Sequence, residues 1–263
     1  MARKIVITSG KGGVGKTSIC ANLGHALANS NLKVLLLDVD LGLNNLDVVM
    51  GMENQVVYDL IDVLEGKCRL KQALLQDFYN SNLYVFPSNH TYAHINIDGK
   101  KIKELLSEVD YFFDYILIDS PAGIENGFYR ALEIADEAIV ITTPHISAIR
   151  DADKVVGFLK SFHFEEIGLI VNRVRGDLIL SGEMVDLEVI EKYLNIKLLG
   201  SVPEDDMFAE QLLVGGTIKT GDLKHCFSLI AKNLHNGENN IFDCTKKYKG
   251  FLGGIKKNLR KIV

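Results

Sequence analysis

Apolar positions along the chain follow two alternating periods. Lys4–Thr8, Lys33–Leu37, Leu83–Phe86, Tyr115–Ile118, Ala138–Thr142, Ile167–Val171 and Lys197–Val202 are short, almost continuously apolar runs. Strands buried on both faces read this way, because a parallel sheet flanked by helices leaves neither face to water. Between them, apolar residues recur at helical spacing: Ile19, Leu23, Ala26 and Leu27; Val155, Leu159 and Phe162; Val189, Ile190 and Tyr193. This alternation over about 200 residues predicts a single doubly wound α/β domain with a mostly parallel sheet and helices on both faces.

The pattern breaks at His235–Asn240, a polar, turn-forming stretch. The globular domain is therefore expected over 1–235, with a linker over 236–245 and a separate C-terminal segment over 246–263. On a helical wheel advancing about 100° per residue, Tyr248, Phe251, Leu252, Ile255, Leu259 and Ile262 fall within one arc of about 100°. The seven basic residues of the segment fill the opposite side, roughly 140–320° on the same wheel. Such sorting predicts a basic amphipathic helix lying in a lipid interface. Gly250, Gly253 and Gly254 each cost about 1 kcal/mol of helix stability, so this tail is expected to order only on binding.

Charge sharpens the division. The 263 residues hold 34 acids and 29 Lys and Arg, a net charge of −5. All seven basic residues of 246–263 lie there with no acid, which leaves −12 on the rest. An acidic body repels nucleic acid, so no sequence-specific nucleic-acid partner is expected, and Tyr248–Val263 is assigned to an anionic membrane surface. Each basic residue contributes at most about 1 kcal/mol there, so one tail holds weakly. Two tails presented together bind roughly 10²–10⁴-fold better. No run approaches the roughly 20 apolar residues of a membrane span, and Met1-Ala2-Arg3-Lys4 is followed by too short an apolar run for a signal peptide. The expected location is the cytoplasm, with cycling to the inner face of the cell membrane.

Cys20, Cys68, Cys226 and Cys244 lie far apart with no Cys-x-x-Cys pair, which excludes a zinc ribbon or disulfide framework. His90 and His94 sit in polar surroundings and read as a solvated loop. Asn89-His90-Thr91 is a glycosylation sequon that a cytosolic chain leaves unused. Tyr111-Phe112-Phe113 reads as core.

Chemistry enters after the first strand. Ser9-Gly10-Lys11-Gly12-Gly13-Val14-Gly15-Lys16-Thr17 fits G-x-x-x-x-G-K-[ST] between a strand and a helix. Gly10, Gly12, Gly13 and Gly15 let the backbone turn tightly and bring its N–H groups to phosphate oxygens at a helix N-terminus. Lys16 reaches the terminal phosphates, Thr17 offers its hydroxyl to Mg²⁺, and Val14 and Ser18 complete the nucleotide cradle. Lys11 is not needed by such a cradle, and a cation on its outer rim points away from the loop's centre. Two later strands end in acids: Asp38 and Asp40 after Leu35–Leu37, and Asp119 after Tyr115–Ile118. Carboxylates at strand ends beside a phosphate loop have the form of Mg²⁺ ligands.

With Gly-Lys-Gly-Gly-Val-Gly-Lys-Thr as its loop, the chain resembles the deviant Walker A P-loop ATPases of the MinD/ParA family. The resemblance covers residues 2 to about 235. Leu41–Asp47, Met50-Gly51 and Val56–Asp59 look like the first switch region of the branch that places the division septum. Asp119–Glu125 looks like its second switch, and Ala135–Ala138, Arg150–Asp153 and Val202–Asp205 continue the match. The resemblance implies that Lys11 crosses an ATP-sandwich homodimer to the partner's phosphates. It further implies that Thr17 ligates Mg²⁺, that Asp38 and Asp119 hold it through water, and that Asp40 positions the attacking water with Asn45. Asn172, Pro203 and Asp205 would line the adenine pocket. ATP and Mg²⁺ are the implied cofactors, and a MinC-like division inhibitor and a MinE-like activator the implied partners of a slow, membrane-cycling ATPase. A flagellar-number regulator or a DNA-partition ATPase of the same family are the alternatives. An iron–sulfur reductase lacks its paired cysteines, and a small-molecule ligase would have no membrane tail.

Overall fold

The computed structural model describes residues 1–40, 45–88, 97–124, 126–205 and 221–250. Eight strands form one sheet: β1 (Arg3–Thr8), β2 (Val34–Asp38), β3 (Leu75–Gln76), β4 (Leu83–Phe86), β5 (Tyr115–Asp119), β6 (Glu137–Thr142), β7 (Ile167–Val174) and β8 (Lys197–Pro203). Their order is β3-β4-β2-β5-β1-β6-β7-β8. All seven apolar runs became strands and pair in parallel; only the two-residue β3, too short to leave a pattern, runs antiparallel, along β4. The predicted doubly wound α/β sheet is the fold.

One face of the sheet is covered by α1 (Lys16–Ala28), α2 (Leu46–Met50) and α10 (Gly221–Asn236). The other carries α3 (Leu60–Leu64), α4 (Leu70–Ala73), α5 (Gly99–Ser107), α6 (Asn126–Ile134), α7 (Ile146–Ser161), α8 (Gly176–Ser181) and α9 (Leu187–Leu194). The caps are local. Asp59 accepts from Ile61 N and Asp62 N to open α3, Asp98 accepts from Lys100 N to open α5, and Asp186 accepts from Glu188 N to open α9. The α1 stripe faces the core, but in the other two stripes Phe162, Val189 and Tyr193 are exposed. They lie on the solvent side of amphipathic helices whose buried faces are made by neighbours such as Val155 and Leu159 in α7 and Ile190 and Leu194 in α9. Likewise Phe113 is buried, while Tyr111 and Phe112 are exposed, and Phe112 packs edge-on against Tyr84 and Phe113 with Lys33 over its ring at the amino end of the sheet.

The C-terminal stretch departs from the expected free linker. Residues 237–248 run back along β8, the edge strand. Asn233 donates to the Asn240 carbonyl and accepts from Asn240 N, both at 3.0 Å, while also donating to the Leu199 carbonyl at 2.9 Å; the Ser201 hydroxyl donates to the Phe242 carbonyl at 2.8 Å, and Cys244 is buried. Tyr248, expected on the lipid face of the tail, is instead buried at the end of a 3-10 turn (Lys246–Tyr248) beside α8. An uncovered sheet edge is a liability, and this strap covers it with Ile241, Phe242, Cys244 and Tyr248 turned in. The remaining tail, 251–263, and the histidine loop, 89–96, lie outside the described residues. All four cysteines are free thiols, as expected. Among the described residues no helix is long and apolar enough to cross a membrane.

One buried ion pair closes the amino end of β1. Lys4 Nζ lies 2.8 Å from Asp110 Oδ2, and Asp110 Oδ1 accepts from Ala2 N at 2.7 Å. Burial alone would raise the Asp110 pKa, but the Lys4 ammonium and the Ala2 N–H outweigh it and hold the carboxyl below its usual range. Asp110→Asn leaves the ammonium buried without a counter-charge, and is expected to cost about 3 kcal/mol of unfolding free energy in urea titrations at neutral pH. Because the folded pKa is the lower one, this stability is complete above about pH 4 and is lost as the pH falls through the depressed value; the variant should lack that part of the acid limb.

Candidate nucleotide-binding site

Ligands of an open parallel sheet bind at the carboxyl ends of its strands, and every predicted site residue is found there. The loop Gly10–Gly15 leaves β1 and enters α1, whose N-cap Gly15 has φ 93°, a left-handed conformation that a side chain would strain. Neighbours also shape the loop. A Cβ on Gly10 would lie 2.2 Å from the Asp151 carbonyl carbon, so the loop packs directly on the backbone of α7. A Cβ on Gly15 would fall 2.5 Å from Asn172 Nδ2. Ser9 donates its hydroxyl to the Lys11 carbonyl at 2.8 Å, and Gly123 N donates to the Ser9 carbonyl at 3.0 Å, which ties the turn after β5 to the loop. Lys11, Gly12 and Gly13 are exposed on the rim, Val14 and Ser18 are buried under it, and Lys16 and Thr17 are partly buried at the start of α1.

Parallel pairing of β2 and β5 sets Asp38 directly opposite Asp119. Both are buried. Burial, and then the Asp119 charge, drive the Asp38 pKa well up, against N–H donation from Asp40 (2.9 Å) and Leu46 (3.3 Å). Asp119 is pushed up to about 6, chiefly by burial, although the Thr17 hydroxyl and the Lys16 ammonium pull it down. Asp119 Oδ1 is a buried oxygen without a hydrogen-bond partner. Two like charges in register, one with an unsatisfied oxygen, beside a threonine hydroxyl form an oxygen-donor set that fits a divalent cation such as Mg²⁺. Asp40 follows Asp38 at the rim, partly buried, and Asn45 is the exposed N-cap of α2; the segment 41–44 between them lies outside the described residues.

Asn172 differs most from its expected place. Its side chain is buried, donates to the Val14 carbonyl at 2.7 Å and accepts from Arg173 N, so in this state it anchors the phosphate loop. Arg173, at φ 57°, sits in a register shift between β7 and β8 that brings Val174 opposite Pro203. Pro203 closes β8, and Glu204 and Asp205 follow at the same end, so the three residues assigned to the adenine side lie on adjacent strand ends. The sequence reading quoted Asp151 within the matching stretch Arg150–Asp153 but gave it no role as the floor of the loop, and it missed Arg130 behind Asp40, which belongs to no local motif.

The facing carboxylates generate a prediction with a definite sign. A raised carboxyl pKa costs the folded state nothing below about pH 4, and the cost grows until about pH 6 and then stays. Asp119→Asn removes it, so at pH 7.5 the nucleotide-free variant should be more stable than wild type by on the order of a few kcal/mol. In the same thermal melts Mg-ADP should raise the wild-type Tm and leave the variant's unchanged.

Comparison with known proteins agrees with this geometry. The family model for the CobQ/CobB/MinD/ParA nucleotide binding domain matches residues 5–218. The septum site-determining protein MinD of Bacillus subtilis (strain 168) is 49% identical over 208 residues, 78% of this chain and 78% of that protein. The MinC:MinD cell division protein complex of Aquifex aeolicus contains a chain that superposes with a TM-score of 0.83 at 39% identity, covering 91% of this chain and 98% of that one. The septum site-determining protein MinD complexed with Mg-ADP, from Pyrococcus horikoshii OT3, gives 0.79 at 33% identity over 89% of this chain and 96% of that one. A strand–loop–helix phosphate cradle with two facing carboxylates, matched over most of the chain by such relatives, places it: the chain belongs to the CobQ/CobB/MinD/ParA nucleotide-binding family, in its septum-site-determining MinD branch.

Proposed function

We propose that the chain is a Mg²⁺-dependent ATPase that dimerises across ATP, cycles between the cytoplasm and the inner face of the cell membrane, and positions the division site by recruiting a MinC-like inhibitor. The observation that carries this reading is the phosphate loop with Lys11 on its exposed rim, set against the buried Asp38–Asp119 pair. A similar chain solved in a MinC:MinD complex supports the inhibitor, and one complexed with Mg-ADP supports the cofactor.

In this reading Thr17, Asp38 and Asp119 would hold Mg²⁺, which when bound neutralises charge on the nucleotide phosphates. The loop N–H groups cradle the phosphate oxygens and Lys16 reaches the terminal ones. Asp40 and Asn45 orient the water for in-line attack, while Lys11 of each protomer meets the charge that develops on the other's nucleotide. Asn172, Pro203 and Asp205 take the adenine side, which for Asn172 requires sharing its amide between Val14 and the base. In this reading intrinsic hydrolysis is slow and a MinE-like activator sets the release. The basic tail gives the cycle its membrane step, since a dimer presents two weak anchors at once.

Co-sedimentation with anionic liposomes tests the cycle. The full chain should pellet with ATP and stay in solution with ADP. Lys11→Ala, and a chain ending at Gly250 that keeps the Tyr248 anchor, should stay in solution with either. Light scattering should show an ATP-dependent dimer for the full chain and a monomer for Lys11→Ala. Binding that ignores the nucleotide or the tail would sink the switch.

A further inference from the structure

The turn that bears Asp40 is held from behind by a residue of the opposite layer. Arg130, in the second turn of α6, is half-buried, and its guanidinium reaches across to the end of β2. Nη1 donates to the Val39 carbonyl at 3.4 Å, and Nε donates to the Ile97 carbonyl at 3.1 Å. The anions whose fields it feels are Asp40 and Glu133, and Glu133 accepts from Gly99 N at 2.9 Å. The Val39–Asp40 stretch is thus gripped at four points: Val39 N on the Asp119 carbonyl (3.1 Å), the Val39 carbonyl on Arg130, Asp40 N on Asp38 Oδ1 (2.9 Å), and the Asp40 carbonyl on Ser88 Oγ (3.5 Å).

A cation in this place needs a reason. A half-buried guanidinium on neutral carbonyls has given up hydration, and among the described residues no carboxylate forms a direct salt bridge with it; an apolar side chain of the same length would fill the space at lower cost. What an apolar residue could not supply is positive charge behind the Asp40 carboxylate, together with a planar fork that fixes two carbonyls at once. α6 also starts just after the turn that follows Asp119, so the side chain physically joins the two acid-bearing turns of the site.

We propose that Arg130 is a positioning residue for ATP hydrolysis, holding the Val39–Asp40 turn so that the Asp40 carboxylate faces the attacking water. The role rests on the reading of Asp40 as the residue that orients that water. Arg130 touches neither nucleotide nor water; it acts through Asp40.

The test uses the full chain with Arg130→Met, which keeps the apolar stem, and Arg130→Lys, which keeps the charge without the fork. Phosphate release with Mg-ATP should show kcat down about 10–100-fold for Arg130→Met, the loss expected of a misplaced reacting group. KM for ATP, and affinity for a fluorescent ADP analogue, should stay within about twofold, because ground-state binding does not use Asp40. Arg130→Lys should recover part of kcat. An unchanged kcat, or a loss confined to KM and ADP affinity, would overturn the proposal. So would a lowered Tm with a normal rate per folded molecule, which marks a purely structural residue. Asp40→Asn run in parallel separates the two layers of the argument: a slow Asp40→Asn with a normal Arg130→Met removes only the role of Arg130, whereas a normal Asp40→Asn removes the reading of Asp40 and this role with it.

Discussion

Two carboxylates face each other at the ends of neighbouring parallel strands, and the rest of the site is arranged around that repulsion. Pairing of β2 with β5 fixes Asp38 opposite Asp119, and neither can turn away without breaking the ladder that carries it. The sheet is buried on both faces, so water cannot screen the pair. Relief comes from groups delivered by other elements: the start of α1 brings Lys16 and Thr17, and the turn after β2 brings two N–H donors. The balance is incomplete, since one oxygen of Asp119 keeps no partner. A fold that retains such a deficit is prepared for a positive ligand, and a divalent cation has the charge and size to meet it.

The phosphate loop has the same character of being held from outside. Its glycines supply the turn, but the Asp151 backbone beneath Gly10 and the Asn172 amide on the Val14 carbonyl decide where it lies. β1, β7 and α7 thereby meet at one loop of six residues, and a disturbance in any of them reaches the phosphates. Asn172 also sits beside a left-handed arginine and a register shift, features that mark backbone bent to serve a site.

At the other edge, the strap along β8 separates two jobs that the charge pattern had merged. Residues up to Tyr248 belong to the body and cover its open edge, so the segment proposed for the membrane is reduced to 251–263. On the proposed membrane role, taking Tyr248 out of the apolar arc lowers the affinity expected of a single copy and makes paired presentation count for more.

The sequence by itself determined the strands, their parallel class, the phosphate loop and the acids at strand ends, because each is encoded within a few consecutive residues: continuous apolar runs, glycine spacing, an acid where a run stops. It also marked the basic tail, since sorting on a wheel is a property of the segment alone. Only the tertiary structure decided what meets across the chain. That Asp38 faces Asp119 follows from strand order, which no run contains. That Asn172 holds Val14, Asp151 floors Gly10 and Arg130 reaches Val39 are contacts between elements 90 or more residues apart. The errors have the same origin. Val189, Tyr193 and Phe112 carry the right spacing for a core, and Tyr248 the right angle for a tail, but burial depends on whether another element arrives to cover them, and periodicity carries no information about that arrival.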